Sequence, residues 1–304
     1  MEHIPVLLNE VISELQIKPN GVYVDLTIGR AGHSSEILKK ATSGHLYGFD
    51  QDETAIKESD QKLKCVSNNY TLIHENFVKA PEILLELGLK GKIDGVLMDL
   101  GVSSPQFDDP TRGFSYREDA PLDMRMDRRQ SLTAHDVVNN YDYDKLVKIF
   151  REYGDERYAS RIAYNLIKSR PINTTFELVE VIKASKPSKE LHKEGHPAKQ
   201  VFQAIRIEVN DELNVLIKTI SSIAELLAPK GRLAIITFHS GEDKIVKTIF
   251  KELTTTVGDR INLPTVEVNK DFSLITNKPI VATEEELSKN NRSHSAKLRV
   301  IEKK

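Results

Sequence analysis

Up to Leu100 the chain alternates short apolar runs with amphipathic stretches. Val22, Val24 and Leu26, with Tyr23 among them, suit a buried strand. Leu46, Tyr47 and Phe49 suit a second, Tyr70–His74 a third and Ile93–Leu100 a fourth. Helical patterns separate them. Ile37 and Leu38 mark a short one, Asp52–Leu63 another with Asp52 as its N-cap, and Ala80–Leu87 a third. Ahead of all these, His3–Leu15 is amphipathic, with Val6, Leu7, Val11, Ile12 and Leu15 at helical spacing. It is expected to cap the sheet or a cofactor site. Such alternation predicts an α/β fold with a doubly wound, mostly parallel sheet.

After Gln106 the alternation stops. Residues 107–135 are polar and turn-rich, and 136–184 turn helical. Leu146, Ile149 and Phe150 mark one helix; Tyr158, Ile162, Leu166 and Ile167 mark another. Thr174 and Glu177 form a capping-box pattern ahead of a third. Residues 185–200 read as a partly basic loop. The pattern places an inserted, mainly helical domain at 107–201, inside a discontinuous domain of 1–106 and 202–304. One long helix is expected over Val201–Leu227 and a fifth strand over Arg232–Phe238. His239-Ser-Gly-Glu-Asp243 then opens a helix to Leu253. Two or three short strands, the last at Leu298–Ile301, give an antiparallel finish.

Composition narrows the class. The 304 residues permit one large domain or two ordinary ones, and 39% hydrophobic with 29% charged residues describes a soluble globular chain. No apolar run reaches the ~18 residues of a membrane span. Met-Glu-His-Ile-Pro at the start resembles neither a signal nor a transit peptide. A single cysteine, Cys65, leaves no intrachain disulfide and fits a reducing cytoplasm. Its place at a helix end, far in order from the fourth strand, suggests a small buried residue rather than a nucleophile. The net charge is -2, and residues 107–201 hold 17 Lys and Arg against 16 Asp and Glu, so any nucleic-acid site must be local. The local basic clusters are Arg125–Arg129, Lys186–Lys199 and Lys289–Lys304.

The candidate chemistry lies at the strand ends, because ligands of such sheets bind beyond the carboxyl ends of the strands. Thr27–His33, Asp50, Phe77, Asp99–Gln106 and His239-Ser240 form the short list. Gly29 and Gly32 let a turn pass close to a ligand, and Asp50 can accept both hydroxyls of a ribose. The Gly-x-x-Gly spacing lacks the third glycine of a dinucleotide cradle. It suits S-adenosylmethionine, which carries no phosphate; a nucleotide cofactor or a plain structural turn remain alternatives. Asp99-Leu-Gly-Val-Ser-Ser-Pro-Gln106 follows the fourth strand, where amine methyltransferases place an acid-then-proline loop. An exocyclic base amine is a poor nucleophile, and acceptors on its hydrogens favour the reactive pyramidal form. Asp99, a carbonyl near Ser103-Ser104, or Gln106 suits that role; the alternative is that Asp99 only caps a turn. His192 and His196 are spaced i, i+4 but Gly195 interrupts them and no third ligand lies near, so no metal is expected. His33 is read as a cofactor contact, and His239 as equally functional or structural.

The chain closely resembles the bacterial small-subunit ribosomal RNA cytosine-N4 methyltransferase family, also called MraW. The likeness rests on His3–Glu10, Asp25–Ser34, Gly91–Gln106, Arg112-Gly-Phe-Ser115, Pro121–Asp127, Tyr153–Arg157, Phe202–Ile207, Phe238-His-Ser240 and Ser295–Arg299. It covers nearly the whole chain. The resemblance implies a Rossmann-like class I methyltransferase domain with a helical insert for substrate recognition. It implies methyl transfer from S-adenosylmethionine to N4 of a cytidine in the decoding region of 16S rRNA, free or within the 30S particle. By motif, Ala31, Gly32, His33, Asp50, Phe77, Asp99 and Gln106 contact the cofactor, with Gly29 in the same loop. Asp99, Ser104, Gln106 and His239 are the candidates for catalysis. Three departures stand out: Ala31 where the family usually has glycine, tolerable if its φ stays negative; Gly241 where leucine is usual; and Asn291 and His294 in place of proline and arginine. Rival readings are an amine methyltransferase acting on DNA or a small molecule, a non-catalytic ribosome-assembly factor, and a nicotinamide oxidoreductase. The pattern leaves monomer and dimer open.

Overall fold

The computed structural model describes residues 5–255 and 271–304, with the side chains of residues 104 and 105 excepted. The start of the expected first helix, at His3, and any strand within 256–270 lie outside the described residues. The chain divides into two compact units, Met1–Gly101 with Leu213–Lys304, and Val102–Glu212.

The first unit is a Rossmann-like α/β sheet. Its strands are β1 (Val22–Asp25), β2 (His45–Asp50), β3 (Tyr70–His74), β4 (Ile93–Asp99), β5 (Leu227–Thr237), β6 (Phe272–Leu274) and β7 (Lys297–Lys303). They run in the order β3-β2-β1-β4-β5-β7-β6. The first five pair in parallel, and β7 lies antiparallel to β5 and β6. The order reverses beside β1, which opens a crevice at the carboxyl ends of β1 and β4. Period-two alternation fills both faces. Val96, Met98, Leu233 and Ile235 join one core with Leu216, Ile220 and Phe250. Leu97, Ala234 and Ile236 join the other with Val11, Ile37 and Leu63. The connecting helices include α1 (Leu8–Glu14), α2 (Gly32–Lys40), α3 (Glu53–Lys64) and α4 (Ala80–Glu86). Asp52 caps α3 by accepting the Thr54 N–H at 3.0 Å. Cys65 is the C-cap of α3 and is exposed, not buried as expected. A helix leaving the carboxyl end of β2 carries its own C-terminus to the opposite edge of the sheet, so Cys65 sits away from the strand-end crevice and faces water.

The second unit holds a separate core of helices: α5 (Ser104–Asp108), α6 (Ala134–Asn140), α7 (Tyr143–Glu152), α8 (Ala159–Lys168), α9 (Thr175–Ser185), α10 (Ser188–Leu191) and α11 (Lys199–Asn210). The Thr174–Glu177 capping box forms on α9. The single helix expected over Val201–Leu227 is broken. Asp211 takes φ 50° and ends α11, and α12 (Glu212–Glu225) starts anew. Asp tolerates the left-handed region better than most residues, and the break coincides with the boundary between units. The unit therefore starts at Val102 and ends at Glu212, where the sequence pattern set 107 and 201. The fifth strand also starts earlier than its apolar run, with an irregular register against β4 between Ile93 and Gly95.

Candidate active site

The polar residues at the ends of β1, β2 and β4 are bonded into one constellation in the first unit. Asp25 closes β1 and is buried. Its Oδ1 accepts the Thr27 N–H at 3.1 Å and its Oδ2 the Ser34 hydroxyl at 2.6 Å. Burial pushes this carboxyl up to about 6 against those two bonds. Gly29 has φ 49° and gives its N–H to Asp50 Oδ2 at 3.0 Å. The other oxygen of Asp50 accepts the Asp52 N–H at 2.9 Å. Asp50 thus clamps the glycine turn to the start of α3, and burial raises its carboxyl to about 6. Each oxygen keeps a lone pair for a further donor.

Ala31 departs from expectation. Its φ is 52°, not negative, and it caps α2 while fully buried. The left-handed region costs an L-residue about 1–2 kcal/mol. The turn holds it there with the Ala31 N–H on Ile28 O at 2.7 Å and the Ser35 hydroxyl back on Ala31 O. Gly32 follows, and a Cβ there would meet the Pro5 ring at 2.4 Å. This glycine makes room for the N-terminal segment rather than for a turn.

His33 is buried and donates Nε2–H to Val6 O at 2.9 Å. Its Nδ1 then faces Asp99 Oδ2 at 3.8 Å. Asp99 ends β4, with its backbone N–H on Thr27 Oγ1 at 2.7 Å. The side chain is 26% exposed, yet Oδ1 is covered and has no hydrogen-bond partner. Burial pushes the Asp99 carboxyl up to about 8, and the charges of Asp25 and Glu242 add to the rise. Phe77 heads a 3-10 turn capped by Asn76 and packs at the margin of one sheet core. His239 caps α13 (Ser240–Thr254). Glu242 Oε2 accepts the N–H groups of Phe238 and His239 at 2.8 and 3.3 Å. His239 Nε2 lies 3.3 Å from Glu242 Oε1 without forming a hydrogen bond. Gly241 spares the His239 ring a Cβ at 3.2 Å.

Thr27 stood on the short list of strand-end residues, but Asp25 and Glu242 did not. A charged residue closing an apolar strand was the available signal for Asp25. Glu242 gave none, because an acid in the first turn of a helix is ordinarily solvated.

Two candidates belong to the second unit. Ser104 opens α5, and its side chain lies outside the described residues. Gln106 is buried and its Oε1 accepts the Ser103 N–H at 3.1 Å, which folds the loop back on itself. The motif Leu122-Asp-Met-Arg-Met-Asp127 is a structural lock. Arg125 makes a forked pair with Asp123 at 2.8 and 2.9 Å and also donates to Gln130 O. Asn210 accepts the Met126 N–H and donates to Met124 O, both at 2.8 Å. Arg129 pairs with Asp127 at 2.9 Å. The C-terminal basic cluster is also engaged: Arg299 and Lys297 reach Asp243, and Lys289 reaches Glu285. His192 and His196 take separate partners, Ser188 O and the Tyr116 ring. Among the described residues no helix is long and apolar enough to cross a membrane.

The whole chain, residues 1–304, matches the model of the MraW methylase family. A relative from Mesoplasma florum, called ribosomal RNA small subunit methyltransferase H, is 56% identical over 100% of this chain and 99% of its own. Relatives of the same description from Streptococcus dysgalactiae and Streptococcus pyogenes are 52% and 51% identical over 99% of this chain and 97% of theirs. The chain belongs to the MraW methylase family.

Proposed function

We propose that this MraW-family chain moves a methyl group from S-adenosylmethionine to the exocyclic N4 of a cytidine in the decoding region of 16S rRNA, in the cytoplasm. The family match and the relatives' names support the reaction class and the rRNA substrate. The observation that carries the site is Asp99 Oδ1, a covered acceptor with no donor, at the end of β4 beside the glycine turn. Burying an acceptor unpaired is costly, so the fold leaves it for a ligand.

When bound, S-adenosylmethionine supplies a methyl group on a sulfonium, reactive enough for a weak nitrogen nucleophile. Gly29, Ala31, Gly32 and His33 form the turn that holds it, and Phe77 offers an apolar surface. Asp50 accepts the ribose hydroxyls through its remaining lone pairs. Asp99 accepts hydrogens from a cationic or amine group. His33 Nε2–H is fixed on Val6 O, which leaves the Nδ1 lone pair facing the Asp99 carboxyl at 3.8 Å. Of the other catalytic candidates, His239 lies in this first unit, at the head of α13. As the amine attacks, acceptors on its hydrogens strengthen with the growing positive charge. Positioning in line with the methyl group supplies much of the rate. The product proton passes to water. A base inside a helix cannot be reached, so the target cytidine is unpaired or flipped.

Competition among small-subunit rRNA, 30S particles and DNA as methyl acceptors tests the proposal. RNA or the particle should take the label and DNA should not; preferential labelling of DNA would overturn it. Asp99→Ala should lower the methylation rate at least about a hundredfold while leaving RNA affinity within about twofold.

A further inference from the structure

In the second unit one basic cluster differs from the others. His196 stacks on Tyr116 with centroids 4.2 Å apart and rings 8° from parallel, and the edge of Phe202 meets Tyr116 at 5.6 Å. The Ala198 N–H donates to His196 Nδ1 at 3.2 Å. That bond fixes the neutral tautomer, so Nε2 carries the proton and is a donor. The half-buried ring is held below its ordinary basicity by burial first, then by the charges of Lys183, Arg117 and Lys186. The surroundings are therefore electropositive. Lys186 is buried and spent on Glu156 at 2.6 Å and Pro197 O at 2.7 Å, which ties down the segment carrying His196. Lys183 meets Glu180 at the surface. Arg117 is exposed, and no carboxylate partners it among the described residues. Its backbone N–H donates to Ser115 Oγ at 3.1 Å, and Thr175 bonds to the carbonyls of Glu118 and Ala120 that follow.

Arg117 follows Tyr116, the ring on which His196 stacks, and its charge is felt at His196. A fixed N–H donor within the field of an unpaired guanidinium is suited to an anion with several acceptor oxygens. We propose that His196 and Arg117 grip a phosphate of the rRNA backbone, with the Tyr116 ring holding the imidazole in place. This contact rests on the rRNA reading above. It positions the RNA on the second unit and reads no base.

The test measures binding of the full-length protein to unmethylated small-subunit rRNA across a series of KCl concentrations, with cofactor affinity followed by calorimetry. Arg117→Gln should weaken RNA binding by about tenfold and flatten the slope of log affinity against log salt by about 0.7, one phosphate contact on a single strand. His196→Phe keeps the stack but loses the donor. It should weaken binding severalfold without changing the slope, because a neutral ring displaces no counterion. His196→Gln, with an N–H at similar reach, should recover part of the loss. Cofactor affinity should stay at the wild-type value in all three. Wild-type RNA affinity and slope in both Arg117→Gln and His196→Phe would overturn the phosphate contact alone. A wild-type protein that neither binds nor methylates rRNA would overturn the functional reading and this contact together.

Discussion

At the scale of single residues, Asp99 is the candidate site residue whose pKa is raised furthest. Its folded pKa, about 8, lies above the usual carboxylate value of 3.8. The folded protein therefore binds a proton that the unfolded chain has already released. Asp99 contributes stability below pH 4, and that contribution is lost as pH rises through 8. Asp99→Asn should accordingly stabilise the cofactor-free protein at pH 9 relative to wild type, by on the order of a few kcal/mol, and much less at pH 4. Thermal unfolding at the two pH values reads the difference. The same proton opposes a cationic ligand. Affinity for S-adenosylmethionine should rise between pH 6 and 8, while affinity for S-adenosylhomocysteine, which lacks the sulfonium charge, should rise less. A parallel rise for both would show that Asp99 does not sense that charge. The place of Asp99 at the end of a strand was legible in the sequence. Its raised pKa was not, because that depends on burial and on neighbours distant in sequence, Asp25 and Glu242.

At the scale of elements, β1, the turn, α2 and β2 were readable because buried parallel strands leave unbroken apolar runs and glycines mark the turn. The conformation within the turn was not readable. Ala31 sits at φ 52° because Ile28, Ser35 and the packing of Pro5 on Gly32 fix the backbone around it. Ala31→Gly relieves the left-handed cost but loses a buried methyl and loosens the unfolded chain, so stability should change by less than about 1 kcal/mol. Ala31→Val places a β-branched residue at positive φ and should cost more than about 2 kcal/mol by denaturant titration. The split of the expected long helix at Asp211 was equally hidden, because apolar spacing runs on through Val209 and Leu213. The Leu122–Asp127 motif teaches the converse. A charged, specific sequence reads as a contact surface, yet Arg125 and the adjacent Arg129 are folded onto neighbouring carboxylates and carbonyls. Asn210→Ala removes three bonds from a buried amide and should destabilise the second unit by about 2–3 kcal/mol.

At the scale of the whole molecule, the chain couples a cofactor sheet to a helical unit carried between β4 and α12. The insert was legible because strand-helix alternation stopped after Gln106 and resumed near the fifth strand. Its limits were not, because Gly101 at φ 99° and Asp211 at φ 50° turn the chain without changing its hydrophobic period. The net charge of -2 hid the basic sites, and only the pairing of each cation separates structural ones from those left for an RNA. The atom that receives the methyl group separates this reaction from its rivals. Small-subunit rRNA from cells lacking the enzyme, incubated with the protein and methyl-labelled S-adenosylmethionine, can be digested and the labelled nucleoside identified. Label should appear on N4 of one decoding-region cytidine, and none with Asp99→Ala. Label on carbon C5, on a ribose hydroxyl, or nowhere on the rRNA would contradict the proposed reaction.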